Sequence, residues 1–191
     1  MTVVLIAGAF ITGSLPFGWL YVKLFKGRDV REIGSGSTGA TNVYRAAGIP
    51  AALLVFFLDF AKAFVFPFCF GGSYALKVAL GLTAVLGHNF SIFLKGRGGK
   101  GVASSAGVAA ALAPVGLVMS LAVFALSFAV SRIISLSSLI GSAAFALFCF
   151  LLDYPPEVRL FALAVFVFIV ISHRKNIQRL FRGEEKRIDR S

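Results

Sequence analysis

The first group of residues suited to chemistry lies in segment 34–45, which is rich in glycine and hydroxyl side chains and ends in an arginine. Glycines allow backbone N–H groups to turn toward an anion, and serine and threonine hydroxyls add donors. A guanidinium group adds a planar fork that matches phosphate. The segment predicts an anion-binding loop with the candidate residues Ser35, Gly36, Ser37, Thr41, Asn42 and Arg45. A flexible linker is the alternative, but such a linker does not require Thr41, Asn42 or Arg45.

Residues 34–39 also match the G-x-G-x-x-G pattern of dinucleotide-binding proteins, with Asp59 at a suitable distance beyond. That pattern binds a dinucleotide only within a βαβ unit. The surrounding apolar runs leave no place for a parallel sheet. We therefore expect neither a nucleotide cofactor nor a metal ion.

A second candidate anion site lies in the segment 87–101. Its candidate binding residues are Gly98, Gly99, Lys100 and Gly101. The glycines are expected to expose backbone N–H groups, and a helix beginning directly after them would direct its positive dipole end toward the ligand. The segment fails the Walker A pattern, because Leu94 stands where the first glycine belongs and Gly101 where serine or threonine is required. The alternative is a basic cytoplasmic loop, which needs cations but not four glycines.

The third candidate segment, 172–185, is expected to continue from the last apolar run. His173 and Asn176 then share one helical face, since they are three residues apart. The cations of this segment, which can reach lipid headgroups, are Arg174, Lys175, Arg179 and Arg182. They accompany an apolar stripe of Ile177, Leu180 and Phe181. A basic interfacial helix is the alternative, and it explains most of the cations.

Two charged residues, Asp59 and Lys62, lie within an otherwise apolar run. Their spacing allows an ion pair that lowers the cost of burial, and we favour this structural role over catalysis. Cys69 and Cys149 lie in apolar runs and are interpreted as small buried hydrophobic residues. No disulfide is expected.

The composition identifies a membrane protein. The chain has 191 residues, of which 58% are hydrophobic and 14% charged, against about a quarter charged in soluble domains. Apolar stretches of about 18 residues or more indicate membrane spans. The net charge of +11 does not indicate nucleic-acid binding, because the polar segments are too short for such a domain. Cytoplasmic loops and anionic ligands explain the charge better.

The expected architecture is an all-α integral membrane protein with seven transmembrane helices, forming one domain over residues 1–191. The apolar segments are Thr2–Leu24, Ala51–Phe70, Tyr74–Leu94, Val102–Val130, Leu136–Leu152 and Leu160–Ile171. Splitting the fourth segment near Pro114 and Gly116 places the basic segments, including the tail with Arg190, on one side. This predicts an outer N-terminus, an inner C-terminus and cytoplasmic motif loops. The N-terminal residues lack a basic region and a cleavage site, so we expect an uncleaved span.

Together these segments resemble the bacterial acyl-phosphate:glycerol-3-phosphate acyltransferase family over essentially the whole chain. The matching residues are Gly34–Gly36, Gly39–Val43, Arg45, Gly87, His88, Phe93, Lys95, Gly96, Gly98–Ala103, His173, Asn176, Ile177, Arg179, Leu180, Gly183 and Glu184. Residues Asp59–Lys62 also fit the family's second span. The sequence departs from the family pattern at Ser37-Thr38 and at Arg97, and neither departure removes a residue with an assigned role.

The resemblance implies transfer of a fatty acyl group from acyl phosphate to glycerol 3-phosphate, giving 1-acyl-glycerol 3-phosphate (lysophosphatidic acid) and phosphate. This is the first committed step of phospholipid synthesis, and it implies membrane lipids as partners and a site facing the cytoplasm at the bacterial inner membrane. Other glycerolipid acyltransferases use His-x4-Asp. Here His88 and His173 are followed at that spacing by Phe93 and Gln178, so a thioester donor is disfavoured.

Under this interpretation the acyl phosphate is held by the backbone of Gly98–Gly101 with Ser37, Thr41 and Asn42. Glycerol 3-phosphate is held by Ser35, Arg45, Lys100, His173 and Asn176. The base is either His173 or a substrate phosphate, and a covalent acyl-Ser35 intermediate is disfavoured because no base is visibly tied to it. The rival function is a phosphate or organophosphate transporter. The absence of a visible inverted repeat and the placement of every motif on one face count against it.

Overall fold

The computed structural model describes residues 1–70 and 72–188, so Arg190 lies outside the described residues. Within them the chain forms nine α-helices, two short 3₁₀ helices and no β-strand. The α-helices are α1 (Thr2–Ser14), α2 (Phe17–Lys26), α3 (Ala40–Cys69), α4 (Tyr74–Asn89), α5 (Val102–Leu112), α6 (Pro114–Ser131), α7 (Ile134–Leu151), α8 (Pro156–Ser172) and α9 (Arg174–Phe181). The 3₁₀ helices are Val30–Glu32 and Ile92–Leu94.

The chain divides into two compact units. The first unit, Met1–Leu112, contains α1 to α5, in which α3 packs against α1, α2, α4 and α5, and α4 against α1 and α5. The second unit begins at Ala113 and contains α6 to α9, in which α7 packs against α6, α8 and α9. Each unit is described separately below.

Within the first unit, glycines allow α1 and α4 to approach closely. A Cβ atom at Gly13 would overlap the backbone of Ala84, and one at Gly87 would overlap the carbonyl oxygen of Phe10. Small residues at such crossings are typical of helices that associate in lipid, where van der Waals packing replaces the hydrophobic effect. This crossing fixes the C-terminal end of α4, from which the second motif segment continues.

The predicted first span is broken between α1 and α2 at Pro16, which has no N–H to continue the helical hydrogen bonds. The carbonyl oxygens released by the break have side-chain donors. Ser91 Oγ donates to Ser14 O at 2.6 Å, and Lys62 Nζ donates to Leu15 O at 2.6 Å. Irregular backbone of this kind is tolerated where the protein supplies its hydrogen bonds.

Helix α3 begins eleven residues earlier than the predicted span Ala51–Phe70. Its early part is joined to the rest by a kink at Gly48, whose φ of 83° lies in the left-handed region that glycine adopts readily. Part of the predicted first loop is therefore helical. The candidate residues that lie on this helix are Thr41, Asn42 and Arg45.

The apolar helices agree with an integral membrane protein. Five helical segments are long and apolar enough to cross a bilayer, and α8 with α9, bent by 62°, makes a sixth candidate. Helix α5 is apolar but shorter. The predicted division near Pro114 is confirmed, because α5 ends at Leu112 and α6 begins at Pro114. The described residues thus provide seven apolar helical segments.

The burial pattern also fits a lipid environment. Large apolar side chains such as Phe57 and Leu160 are exposed, whereas polar residues such as Asn42 and Ser104 are fully buried. The prediction for the cysteines is half wrong. Cys149 is buried, but Cys69 is exposed, because the end of α3 directs it outward with the other apolar side chains.

Candidate active site

The first motif loop is organised by Asn42, whose side chain is completely buried. Its Nδ2 group lies within hydrogen-bonding distance of the carbonyl oxygens of Val30 (2.7 Å), Ile33 (2.9 Å) and Ser37 (2.9 Å). Its Oδ1 atom accepts from the backbone N–H of Ser35 at 3.0 Å. The predicted contact between Asn42 and substrate therefore gives way to a positioning role, because its donors and acceptor hold the loop together.

Around this anchor the loop brings three candidate residues together. The hydroxyl oxygens of Ser35 and Ser37 are 3.1 Å apart, and both residues are half-buried. The side chain of Arg45 lies beside Gly34, where a Cβ atom would be 3.0 Å from Arg45 Cδ and 3.4 Å from its Nη1. Two hydroxyl groups and a guanidinium group thus belong to one short, braced segment.

Gly36 and Thr41 are placed differently. Gly36 has a φ of 71°, and its N–H donates to the carbonyl oxygen of Ile33 at 3.0 Å, closing a turn. Thr41 is half-buried in the first turn of α3. Gly36 is therefore required by the turn, whereas the predicted substrate contact of Thr41 stays a prediction.

A carboxylate that sequence reasoning did not consider fixes the start of the loop. Asp29 accepts hydrogen bonds from Trp19 Nε1 at 3.1 Å, from the Arg31 backbone N–H at 2.9 Å and from Arg31 Nη2 at 2.7 Å. The side-chain hydrogen bonds from Arg31 are the main reason that the pKa of Asp29 lies well below its usual range, despite partial burial. Asp29 consequently stays ionised and ties α2 to the loop.

The second motif segment packs against the end of α4. The Gly98 N–H donates to Asn89 O at 3.0 Å, and the Gly99 N–H donates to His88 O at 3.1 Å. The prediction that these two glycines present their N–H groups to an anion is therefore wrong. Their lack of side chains has another cause, because a Cβ atom at Gly98 would overlap the His88 carbonyl oxygen and one at Gly99 would overlap the His88 ring.

This packing places Lys100 just before the start of α5. Lys100 is half-buried, and Gly101, with a φ of 85°, turns the chain directly into the helix. The Ser105 N–H donates to Gly101 O at 2.7 Å, which closes the first turn. The predicted helix start after the glycines is confirmed. An α-helix leaves its first N–H groups without intrahelical acceptors, so this end can bind an anion.

In the second unit, His173 lies at the 62° bend between α8 and α9 and is 3% exposed. The predicted continuous helix is therefore bent at one of its candidate residues. His173 Nδ1 lies 2.9 Å from the carbonyl oxygen of Ile169. Because a carbonyl oxygen only accepts, Nδ1 carries a proton, and in the neutral ring Nε2 is the basic nitrogen.

Asn176 is also buried, and it contacts a carboxylate to which the sequence interpretation gave no role. Asn176 Nδ2 donates to Glu185 Oε1, which also accepts from Ser135 Oγ at 2.8 Å. Arg179 Nε donates to Glu185 Oε2 at 2.6 Å. Arg179, which the sequence assigned to lipid headgroups, instead pairs with this carboxylate. The other cations of the segment, Arg174, Lys175 and Arg182, are exposed.

The environment of Glu185 keeps it ionised. Burial alone would raise its pKa, but hydrogen bonds from Arg179, Asn176 and Ser135 outweigh burial, and the pKa is lowered. The chain that follows is held by a hydrogen bond from the Ile188 N–H to Arg132 O at 2.9 Å. The only signal in the sequence is an acidic pair within a basic tail, which does not distinguish Glu185 from the exposed Glu184.

The fold and these segments define an α-helical integral membrane protein with braced polar segments that carry hydroxyl groups, cations and a histidine. The glycerol-3-phosphate acyltransferase family model matches residues 3–183. A glycerol-3-phosphate acyltransferase of Aquifex aeolicus is 40% identical over 187 residues, covering 96% of this chain and 97% of that relative. One from Staphylococcus carnosus is 37% identical over 200 residues, covering 98% of each.

Solved structures agree with the sequence relatives. The chain matches crystal structures of PlsY (YgiH), an integral membrane glycerol 3-phosphate acyltransferase, at 39% identity over 98% of this chain. The TM-score is 0.94 for the glycerol 3-phosphate form and 0.90 for the lysophosphatidic acid form, with 96% and 95% of those chains covered. The chain belongs to the glycerol-3-phosphate acyltransferase family.

Proposed function

We propose that this enzyme transfers a fatty acyl group from acyl phosphate to glycerol 3-phosphate, releasing lysophosphatidic acid and inorganic phosphate. The glycerol hydroxyl oxygen forms a bond to the acyl carbon, the bond from that carbon to the phosphate oxygen breaks, and phosphate leaves. The proposed location is the cytoplasmic side of a bacterial inner membrane. Residues 1–191 act as one acyltransferase domain, so that substitutions of the assigned residues in either compact unit reduce turnover.

The observation that carries the proposal concerns Gly98–Gly101 of the second motif segment, hereafter the glycine segment. This segment is attached to the end of α4 by hydrogen bonds. Because Gly98 and Gly99 are bonded to backbone carbonyls, Lys100 and the start of α5 are held in place before substrate binds. A preorganised cation beside a helix N-terminus stabilises the negative charge that develops on the leaving phosphate. We assign the phosphate of the acyl donor to Gly101 and the start of α5, with Ser37 and Thr41 as further donors.

The second phosphate, that of glycerol 3-phosphate, is assigned to Arg45 and Lys100 with Ser35. The hydroxyl pair of Ser35 and Ser37 and the Arg45 guanidinium belong to the segment braced by Asn42, which favours a fixed geometry. Acyl phosphate already contains a good leaving group. Positioning and charge stabilisation therefore supply most of the rate acceleration.

Proton removal from the attacking hydroxyl is assigned to His173 Nε2 or to a phosphate oxygen of the substrates, with Asn176 orienting glycerol 3-phosphate. The His173 tautomer fixed by Ile169 has the basic nitrogen that such a step requires. The two bases differ in what His173→Gln does. With His173 as the base, the variant loses most of kcat while it still binds glycerol 3-phosphate; with a phosphate base, most of kcat remains.

Phosphate release by purified protein tests the function. Turnover must depend on glycerol 3-phosphate, because acyl phosphate also hydrolyses in water, and lysophosphatidic acid must appear in equal amount. Lys100→Ala and Arg45→Ala are each expected to lower kcat/KM by about 100-fold, as for loss of one transition-state donor. Lys26→Ala, which removes an exposed cation at the end of α2, serves as the control. Phosphate uptake into liposomes without turnover would instead support a transporter.

The proposed topology has seven spans, an outer N-terminus and an inner C-terminus. The helix break between Leu112 and Pro114 supports it, because it allows α5 and α6 to cross separately. Reporter fusions at residue 113 and after the C-terminus test it. We expect periplasmic activity at residue 113 and cytoplasmic activity at the C-terminus, because three spans separate the two positions. Reporters on the same side would mean an even number of crossings and would exclude this topology.

A further inference from the structure

A buried polar cluster of the first unit lies outside the substrate-binding assignments. It consists of Asp59 and Lys62 on α3 and His88 on α4, which are 1%, 5% and 5% exposed. Lys62 Nζ lies 2.7 Å from Asp59 Oδ1, which confirms the ion pair predicted from their spacing. His88 Nδ1 lies 3.4 Å from the same carboxylate oxygen. One carboxylate thus faces a cation of its own helix and an imidazole of the neighbouring helix.

Each end of this cluster contacts irregular backbone. At one end, Lys62 Nζ also donates to Leu15 O at 2.6 Å, at the break between α1 and α2. At the other end, the His88 ring faces Gly99, since the atoms nearest to a Cβ built there are His88 Nε2, Cε1 and Cδ2. The His88 backbone carbonyl accepts the Gly99 N–H at 3.1 Å. The cluster therefore runs from the broken first span to the glycine segment.

We propose that Asp59, Lys62 and His88 form a positioning network that fixes Gly98–Gly101 and thereby sets the affinity for the phosphate of the acyl donor. The inference rests on the proposed function for the identity of the donor, but not for the presence of a phosphate site. None of the three residues is assigned a contact with substrate. They act through the glycine segment.

The chemistry of the cluster gives each residue a distinct task. The Asp59 carboxylate lies 3.4 Å from His88 Nδ1, and its charge favours the ring orientation in which the Nε2 edge faces Gly99. Lys62 compensates the buried charge of Asp59, which could not remain ionised alone in an apolar interior. Lys62 also donates a hydrogen bond to Leu15 O, which the helix break between α1 and α2 leaves without a helical donor. This acceptor explains the position of the Lys62 ammonium group.

A simple stability role for an ion pair would not require the imidazole. Asp59 and Lys62 already neutralise one another on α3, and a histidine is unnecessary for that purpose. The His88 ring instead fills the space beside Gly99, where any side chain would overlap the ring. Rotation or loss of the ring leaves a gap beside Gly99. The segment can then shift, and shifts of about 1 Å in a site can change rates or binding by up to about 100-fold.

Steady-state kinetics with both substrates varied test the network. His88→Gln and Asp59→Asn are expected to raise KM for acyl phosphate about 10-fold. Because Lys100 belongs to the same segment, KM for glycerol 3-phosphate should rise as well, but only about threefold. Thr83→Ala on α4 is the matched control, because it removes only a hydrogen bond to Ala79 O within the helix. Equal changes in both KM values, or a kcat loss alone, would overturn the proposal.

A second measurement does not depend on acyl transfer. Titration calorimetry with inorganic phosphate on the purified wild type and His88→Gln should show about 10-fold weaker binding in the variant. Unchanged phosphate affinity would overturn the network even if the enzyme is active. Wild-type protein that binds phosphate but does not release lysophosphatidic acid would instead contradict the proposed function alone.

The contact between the ring and Gly99 is tested by a double-mutant cycle that does not require Asp59→Asn to fold. Gly99→Ala should raise KM for acyl phosphate because its methyl group overlaps the imidazole. In the background of His88→Ala that overlap is gone, so the additional effect of Gly99→Ala should fall to less than about twofold. Additive effects of the two substitutions would show that the ring does not position the segment.

Discussion

Removal of the Glu185 carboxylate tests how the second unit holds Asn176. The Glu185 side chain is 3% exposed and accepts hydrogen bonds from Ser135, Asn176 and Arg179. In Glu185→Ala these donors lose their shared acceptor, and two of them stay largely buried. Asn176 then loses the contact through which the carboxylate orients its side chain.

The expected loss of stability follows from the environment of each donor. Breaking a buried charge pair by removing one partner costs about 3–5 kcal/mol. Arg179 is 34% exposed, so water replaces part of its interaction, and the lower end of that range applies. A loss of about 3 kcal/mol corresponds to a fall in Tm of roughly 6–12 °C for a chain of this size.

The two cysteines of the chain provide the assay. Cys149 is fully buried in α7, the helix that also carries Ser135, whereas Cys69 is exposed. In a Cys69→Ser background, reaction of Cys149 with a fluorogenic maleimide therefore reports unfolding of the second unit. Glu184→Gln is the matched control, because Glu184 is adjacent and exposed. Equal melting temperatures for Glu184→Gln and Glu185→Ala would refute the reasoning.

Four further outcomes are expected. Because the pKa of Glu185 is lowered by folding, its stabilisation relative to Glu185→Gln should be constant above about pH 5 and disappear as pH falls through the lowered pKa, which melting curves across pH will show. Asn42→Ala should lower Tm and kcat/KM together, since buried backbone groups lose their partners. Gly98→Ala should raise KM for acyl phosphate, whereas Gly72→Ala, with open space around it, should not. Gly107→Val should lower Tm, because its side chain would meet the α3 backbone.

Much of the fold follows from one-dimensional features of the sequence. Apolar run length gave the membrane class, and the helix-breaking Pro114 with the charge bias gave the division between α5 and α6. The kink at Gly48, the break at Pro16 and the bend at His173 were not predicted as such. The break at Pro16, for example, depends on hydrogen-bond donors supplied by Lys62 and Ser91, which lie far along the chain. Hydrophobic patterns contain no information about those partners.

The site shows why the types of residue can be predicted when their tasks cannot. Glycines beside a lysine are compatible with exposed anion-binding N–H groups and equally with close packing, because both require the absence of a side chain. Only the position of α4 decides between them, and it shows that Gly98 and Gly99 serve close packing. Asn42 follows the same logic, since an amide that could bind phosphate instead satisfies loop backbone.

The proposed reaction brings two phosphates close together, and their mutual repulsion has to be offset by groups that do not move. Flexible loops could supply the same charges, but they would lose conformational entropy whenever substrate bound. Here the cations are attached to segments that are already braced: Arg45 to the segment held by Asn42, and Lys100 to the segment held by His88. Under the proposed positioning network, the buried polar residues of the first unit make the binding of charge less costly. Conservative substitutions among them should therefore change KM before they change the fold.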